Sequence, residues 1–245
     1  MPKLSILIAV YNEKDHIESS LARLDGAAGM LQELGLEREV VLVDDCSTDG
    51  TSDLLRKLVE GRGEYRLVRH EVNQGKGAAL RTAGKTATGD IILFHDADLE
   101  YDPRDHGAAL RPIVEGKADV VIGSRFIGST HRVLYFWHMV VNKGLTLLSN
   151  ITTNLNLTDI ECCTKAFTRE VFSKIRIEEN RFGVEPEIIA KASKLRVGPT
   201  LRRARVYEVA VSYDGRTYAE GKKIGWEDGV RALWCILYYG LGFGG

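Results

Sequence analysis

Five short apolar runs, each ended by polar or acidic residues and followed by a stretch with helical spacing, govern the first half of this 245-residue chain. They lie at residues 4–10, 40–44, 65–70, 90–95 and 120–123, are rich in Val, Ile and Leu, and are of strand length. Between the first two, Ile17, Leu21, Leu24, Leu31 and Leu34 recur at helical intervals and form one buried stripe. A second helix is expected after Asp49-Gly50-Thr51, capped by Thr51 or Ser52 with Leu54, Leu55 and Leu58 inward. A third opens at Gly75-Lys76-Gly77-Ala78, and a fourth follows Pro103. Strands that alternate with crossover helices run parallel, so the expected fold class is α/β: a doubly wound, mostly parallel sheet flanked by helices.

After Arg125 the pattern changes. Residues 133–148 read as a helix and 152–157 as polar and irregular. With no repeat or linker to divide the chain, residues 1–223 are read as one domain and 224–245 as an amphipathic C-terminal appendage. Within it, residues 230–243 are apolar over roughly a dozen positions but carry Arg231, short of the roughly 20 residues a bilayer demands. Such a helix is expected to lie on a membrane or fold back on the core. The apolar run at the N-terminus ends in Tyr11-Asn12-Glu13 without a small-residue cleavage site, so it reads as a buried strand.

Composition removes several functions. Hydrophobic residues at 44% and charged residues at 27% exclude disorder and a polytopic membrane protein. A net charge of -1 gives no general pull toward nucleic acid, although Arg202, Arg203, Arg205, Arg216, Lys222 and Lys223 concentrate positive charge near the C-terminus. Cys46, Cys162, Cys163 and Cys235 form no C-x-x-C pair, which suits a reducing cytosol and argues against a thiolate metal site. His95, His106, His131 and His138 match no zinc spacing.

In open α/β sheets the ligand crevice forms at the carboxyl ends of the strands. Tyr11-Asn12-Glu13, Asp44-Asp45 and Asp96-Ala97-Asp98 all fall at such ends. Two carboxylates two positions apart in extended chain point the same way, so Asp96 and Asp98 offer oxygen ligands to a hard cation such as Mg²⁺ or Mn²⁺. Both are expected in an exposed crevice, where Asp98→Asn changes stability little. Asp44 or Asp45 suits a base N–H or a ribose hydroxyl, whereas Asp49 to Thr51 reads as a turn and cap. Asn73-Gln74-Gly75-Lys76-Gly77 either brings glycine backbone and Lys76 to a phosphate or merely turns the chain into a helix. It is not a Walker-type G-x-x-x-x-G-K-[ST] loop.

Taken together, Val10-Tyr11-Asn12-Glu13, Val43-Asp44-Asp45-Cys46-Ser47-Thr48-Asp49-Gly50-Thr51, Asn73-Gln74-Gly75-Lys76-Gly77, Asp96-Ala97-Asp98-Leu99-Glu100 and Gly123-Ser124-Arg125-Phe126 resemble the family 2 glycosyltransferases of GT-A fold. Residues 149–159 and 220–224 extend the resemblance to the dolichol-phosphate mannosyltransferase-like branch, which moves sugar from GDP-mannose, or a UDP-sugar in relatives, to a polyprenyl phosphate. The resemblance implies that Ala9, Tyr11, Glu13, Asp44 and Asp45 contact the nucleoside, Asp96, Ala97, Asp98 and Glu100 the metal and diphosphate, and Arg125, Arg216 and Lys222 the phosphates. It implies a nucleotide-sugar donor, a polyprenyl-phosphate acceptor, Mg²⁺ or Mn²⁺, and a cytoplasmic protein peripheral on a membrane surface. Ala9-Val10 stands where the branch often has Pro-Thr, and Glu100 where it often has Gln, which leaves the donor open. Two alternatives compete. A family 2 enzyme acting on a saccharide or glycolipid hydroxyl would need a base, for which Asp159 and Glu161 are the candidates. A non-catalytic nucleotide-sugar binder would not need both Asp96 and Asp98.

Overall fold

The computed structural model describes residues 1–128, 132–133, 135–216 and 225–243. All five expected runs become strands: β1 (Lys3–Val10), β2 (Glu37–Asp44), β3 (Tyr65–Arg69), β4 (Ile91–Phe94) and β5 (Val120–Ser124). Two further strands, β6 (Lys165–Thr168) and, beyond the small hairpin of β7 (Arg196–Val197) and β8 (Arg202–Arg203), β9 (Val206–Ala210), complete the sheet. Its order is β3-β2-β1-β4-β6-β5-β9. Strand β6 runs antiparallel between β4 and β5, with Ala166 opposite both Leu93 and Val121, and every other pair is parallel. The sheet is therefore mostly parallel, as expected.

Alternation along β1 shows why both faces are covered. Leu4, Ile6, Ile8 and Val10 pack with Leu21, Leu24, Leu55, Leu110 and Ile113 on one side. Leu7 packs with Ala79, Leu80, Phe167, Ile188 and Ile189 on the other. The first face is covered by α1 (Ile17–Gly26), α2 (Ala28–Glu33), α3 (Thr51–Val59) and α5 (His106–Val114). The second is covered by α4 (Lys76–Thr86), with α6 (Phe136–Thr153), α7 (Arg169–Lys174), α8 (Val184–Lys194) and α9 (Trp226–Gly240) toward the later part of the chain.

Two local expectations need correction. The stripe from Ile17 to Leu34 is not one helix: α1 stops at Gly26 and α2 restarts at Ala28. Glycines at 26 and 29 each weaken helix by about 1 kcal/mol relative to alanine, so the stripe survives as two pieces meeting at Ala27. Helix α3 is not capped by Thr51 or Ser52. Gly50 is its N-cap in the left-handed region, φ 97°, and Asp49 Oδ1 accepts from the Thr51 amide at 2.9 Å.

Helix α9 folds back on the protein through Ala232, Cys235, Ile236 and Tyr239, against α6 and α8. Arg231 pairs with the buried Glu179 at 2.7 Å, and Gly240 lies so close to Thr152 that a Cβ there would collide with it. Its other face leaves Trp226, Val230, Trp234 and Leu237 exposed, and α6 does the same with Phe136, Trp137, Val141, Leu147 and Ile151. Among the described residues no helix is long and apolar enough to cross a membrane.

Near the amino ends of β1 and β2, Glu39 is buried and collects donors from two segments, β1 and the turn at Thr88. Oε1 accepts from Ser5 Oγ and the Thr88 amide at 2.5 Å each, and Oε2 from Lys3 Nζ at 2.8 Å and Thr88 Oγ1 at 2.9 Å. Burial alone would raise its pKa, but these donors outweigh burial and hold it at about 2 rather than 4.5. A depressed carboxyl stabilises the fold above its unfolded pKa, and that contribution is lost as pH falls from about 4.5 toward 2. Glu39→Gln is therefore expected to cost about 2 kcal/mol at pH 7 and to flatten the acid limb of a denaturation profile. An unchanged acid limb in the variant would contradict this.

Candidate active site

Because β1, β2 and β4 are parallel neighbours, their carboxyl ends open on one edge. The first two tips are stitched together. Asn12, at φ 50°, donates its amide to Ser47 Oγ at 2.9 Å and accepts the Thr48 amide on Oδ1 at 2.8 Å, while the Glu13 amide reaches Thr51 Oγ1 at 3.0 Å. Asp44 accepts from the Ser47 amide at 3.0 Å and from Ser52 Oγ, with Arg69 at 3.4 Å. Asp45 accepts from His70 Nδ1 at 2.7 Å, from Asn73 Nδ2 at 2.9 Å and from the Gly75 amide at 2.7 Å. Both carboxylates are buried and shape the loops around them. Ala9 is half-buried in β1, and Tyr11 is exposed at its tip.

Gly75 and Gly77 flank Lys76 where the backbone of Glu179 and Asn180 closes on the start of α4, and a Cβ at either glycine would collide with those carbonyls. The helix-entry role is thus real, and it aims Lys76 into the site. Lys76 Nζ contacts Asp96 Oδ1 at 2.8 Å and Glu185 Oε1 at 2.9 Å. Burial would lower the lysine's pKa, but Asp96 and Glu185 with the other acidic groups around it together raise it well above the usual value. Asp96 is correspondingly held down by Lys76 against its own burial.

Asp98 and Glu100 face a second cation. Arg216 reaches Asp98 Oδ2 at 2.9 Å, Glu100 Oε1 at 3.0 Å and Glu13 Oε2 at 3.6 Å, and Tyr213 donates to Glu100 Oε2 at 3.0 Å. Burial, reinforced by the charges of Asp96 and Glu100, pushes Asp98 up to about 7 in spite of Arg216. The expected exposed crevice is in fact tight: the side chains of Asp96 and Asp98 are 22% and 12% exposed. Ala97 between them is buried. Among the described residues no three carboxylates, histidines or cysteines converge as a ready-made cage, since Lys76 and Arg216 stand between them. The donor set nonetheless fits a hard divalent cation, being carboxylate oxygens in an Asp-x-Asp-x-Glu segment short of positive charge.

Arg125 and Asp159 are each other's partners, with Nε to Oδ2 at 2.6 Å and Nη2 to Oδ1 at 2.8 Å. Burial would raise Asp159, but Arg125 holds it below the usual carboxylate range, which leaves it an ion-pair anchor and a poor base. The Arg125 guanidinium also stacks 5.1 Å from the Tyr213 ring, and Arg132 donates to the Gly215 carbonyl at 3.2 Å. Arg125, Arg132 and Arg216 therefore gather around the 213–216 segment. Lys222 lies outside the described residues, as does His131. Glu161 differs from Asp159: burial first, then the charge of Glu185, pushes it up to about 7, and its Oε1 has no partner. Sequence reasoning missed Glu185 and Tyr213. The acidic first turn of α8 reads as a response to the helix dipole, and nothing in sequence marks Tyr213 as the residue that meets Glu100.

The family described as Glycosyl transferase family 2 matches residues 5–176. The dolichol-phosphate mannosyltransferase of Pyrococcus furiosus is 28% identical over 224 residues, 90% of this chain and 59% of that protein. An undecaprenyl-phosphate 4-deoxy-4-formamido-L-arabinose transferase of Klebsiella pneumoniae is 30% identical over 172 residues, 69% of this chain and 50% of that protein. The chain thus spans between half and three fifths of the length of these relatives. Among solved structures, glucosyl-3-phosphoglycerate synthase from Mycobacterium tuberculosis, in complex with Mn²⁺, UDP and glucosyl-3-phosphoglycerate, aligns with a TM-score of 0.71 at 20% identity, covering 97% of this chain and 80% of that one. Mannosyl-3-phosphoglycerate synthase from Rubrobacter xylanophilus aligns at 0.69 and 17%, over 97% and 72%. These likenesses show the fold, which is the expected GT-A arrangement.

A carboxyl with a raised folded pKa stabilises the fold fully below its unfolded value, here about 3.8, and that contribution is lost as pH rises through about 7. At pH 8 without metal, Asp98 is thus an unfavourable buried charge. Asp98→Asn is expected to stabilise the metal-free protein by about 1–2 kcal/mol at pH 8 while abolishing Mn²⁺ binding seen by electron paramagnetic resonance. In the native chain Mn²⁺ affinity should rise with pH through about 7, since the cation displaces a proton. A destabilised variant that still binds Mn²⁺ would contradict the assignment.

Proposed function

The chain belongs to glycosyl transferase family 2, and from that premise we propose that it moves a hexose from GDP-mannose or a UDP-sugar to a polyprenyl phosphate. Asp96 and Asp98, with Glu100 beside them, would hold Mg²⁺ or Mn²⁺ against the donor diphosphate. The observation that carries the reading is the alternation of carboxylates with Lys76 and Arg216 at the strand tips, next to the gathered Arg125 and Arg132. Relatives named for polyprenyl-phosphate sugar transfer support the acceptor.

A polyprenyl monophosphate resembles a phosphorylated side chain with a second pKa of about 6, so it is already mostly a dianion at neutral pH. No residue has to deprotonate it. One phosphate oxygen attacks the anomeric carbon as the bond from that carbon to the donor diphosphate breaks, its electron pair leaving with the nucleoside diphosphate. Displacement from the opposite face inverts the centre, giving a β-linked lipid phosphate from an α-linked donor. A divalent cation held by Asp96 and Asp98 would supply positive charge to the departing diphosphate. The chain's own work is cationic: Lys76 fixes Asp96, and Asp159 and Tyr213 fix Arg125. Arg216 and Arg132, on and beside the 213–216 segment, oppose the repulsion between two phosphate-bearing molecules. The exposed apolar faces of α6 and α9 suit a membrane surface that presents such an acceptor, which would make the protein peripheral on the cytoplasmic face.

One observation favours transfer to a hydroxyl instead: Glu161, at about 7, has the strength of a general base. The two readings separate cleanly. With donor, Mn²⁺ and a short polyprenyl phosphate, nucleoside diphosphate release is expected to fall about 100-fold or more in Arg216→Ala and less than about tenfold in Glu161→Gln. Release driven by a soluble saccharide, and abolished by Glu161→Gln, would establish the hydroxyl reading and sink the lipid-phosphate one. Trp137→Ser/Trp234→Ser should retain the fold by circular dichroism yet lose flotation with anionic liposomes. Full flotation would show that these two helix faces do not hold the protein on a membrane.

A further inference from the structure

Among the described residues, three buried side-chain atoms lack any hydrogen-bond partner, and two of them, Glu185 Oε2 and Glu161 Oε1, belong to carboxylates that act on each other beside the active site. Glu185 is the second residue of α8 and is 6% exposed. A first-turn glutamate that only answered the helix dipole would face solvent. Its neighbour in the same turn shows what a structural carboxylate looks like here: Glu187 accepts the Glu178 amide at 2.7 Å, the Glu179 amide at 2.9 Å and Lys191 Nζ at 2.8 Å. Glu185 instead spends one oxygen on Lys76 and leaves the other without a donor, a costly arrangement for a buried charge.

Position says which donor is missing. Lys76 joins Glu185 to Asp96, so Glu185 stands one ammonium away from the carboxylate assigned to the metal and the donor diphosphate. The group attached to that diphosphate is the sugar, and its hydroxyls are neutral donors of the kind a buried carboxylate oxygen accepts. We propose that Glu185 is a specificity-determining residue, its Oε2 accepting a hydrogen bond from one hydroxyl of the transferred hexose, with Glu161 forming the adjoining wall. The assignment rests on the donor being a nucleotide sugar. A site built to pair a hydroxyl rejects the analogue that lacks it, because the carboxylate is then left buried and unpaired. Donor selectivity therefore resides in α8, about ninety residues after the Asp-x-Asp segment in sequence.

Calorimetry separates nucleotide from sugar contacts. In the presence of MnCl₂, GDP, UDP, GDP-mannose and UDP-glucose are titrated into the native chain and into Glu185→Gln. The variant is expected to bind the nucleoside diphosphate as the native chain does and the matching nucleotide sugar about 10- to 100-fold more weakly. The native chain alone provides a second arm that does not depend on the variant folding: among donors deoxygenated singly at C2, C3, C4 or C6, one should lose a similar factor. That donor and its parent should bind Glu185→Gln equally. Equal weakening of diphosphate and nucleotide sugar by the substitution, or no loss for any deoxy donor in the native chain, overturns the assignment. Failure of the native chain to bind any of the four nucleotides overturns the glycosyl-transfer reading itself, and the assignment with it.

Discussion

Like charges held close together out of water dominate this molecule. Glu13, Asp96, Asp98, Glu100, Glu161 and Glu185 crowd one edge of the sheet with Lys76 and Arg216 between them. Burial first, and these neighbouring charges second, push Asp98 and Glu161 up to about 7. Near the amino ends of the strands the same residue types behave in the opposite way. Glu39 sits among Lys3, Ser5 and Thr88, and Asp119 is gripped by Arg202 and Arg205, both with depressed pKa values. One end of the sheet therefore contributes stability and the other gives it up, the division expected when a rigid scaffold supports a site built for a charged ligand. Strands β1, β2 and β4, buried on both faces, supply the rigidity.

Much of this was legible in the chain itself, and the exceptions have physical causes. Residues 4–10, 40–44 and 90–95 announced parallel strands because burial on both faces demands continuous Val, Ile and Leu, and the acids at their ends then fell at the ligand edge. Strand β6 escaped notice because Lys165, fully buried with its ammonium on the Cys162 carbonyl, breaks the apolar run that marks its neighbours. Of the two roles left open for the Gly75-Lys76-Gly77 turn, helix entry is the one the fold displays: the glycines admit the 179–180 backbone, and the lysine between them reaches Asp96. Contacts made across long separations, Arg216 to Glu100 and Lys76 to Glu185, follow no local period and become visible only in three dimensions.

Internal partners also change what individual acids can do. Asp159 looked like a candidate base, yet its two oxygens are committed to Arg125, and it steadies the guanidinium that lies over Tyr213. Asp44 and Asp45 looked like nucleoside contacts, and whatever they offer a base or ribose is offered from carboxylates that already organise the Ser47 and Asn73–Gly75 turns. Tyr213 and Arg216 belong to one short segment that ties the Asp-x-Asp-x-Glu motif to the later half of the chain. Through that segment Arg125 and Arg132 share a single electrostatic unit with Asp98 and Glu100.

Everything proposed for this site requires a divalent cation held by Asp96 and Asp98 against a nucleoside diphosphate. Crystals grown with MnCl₂ and GDP or UDP, measured at the manganese absorption edge, test it most directly. One anomalous peak is expected, at the Asp96–Asp98 pair beside the diphosphate, with Arg216 released from Asp98. A diphosphate bound without a peak at that pair, or a peak lying elsewhere while Arg216 keeps its contacts with Asp98 and Glu100, would contradict it.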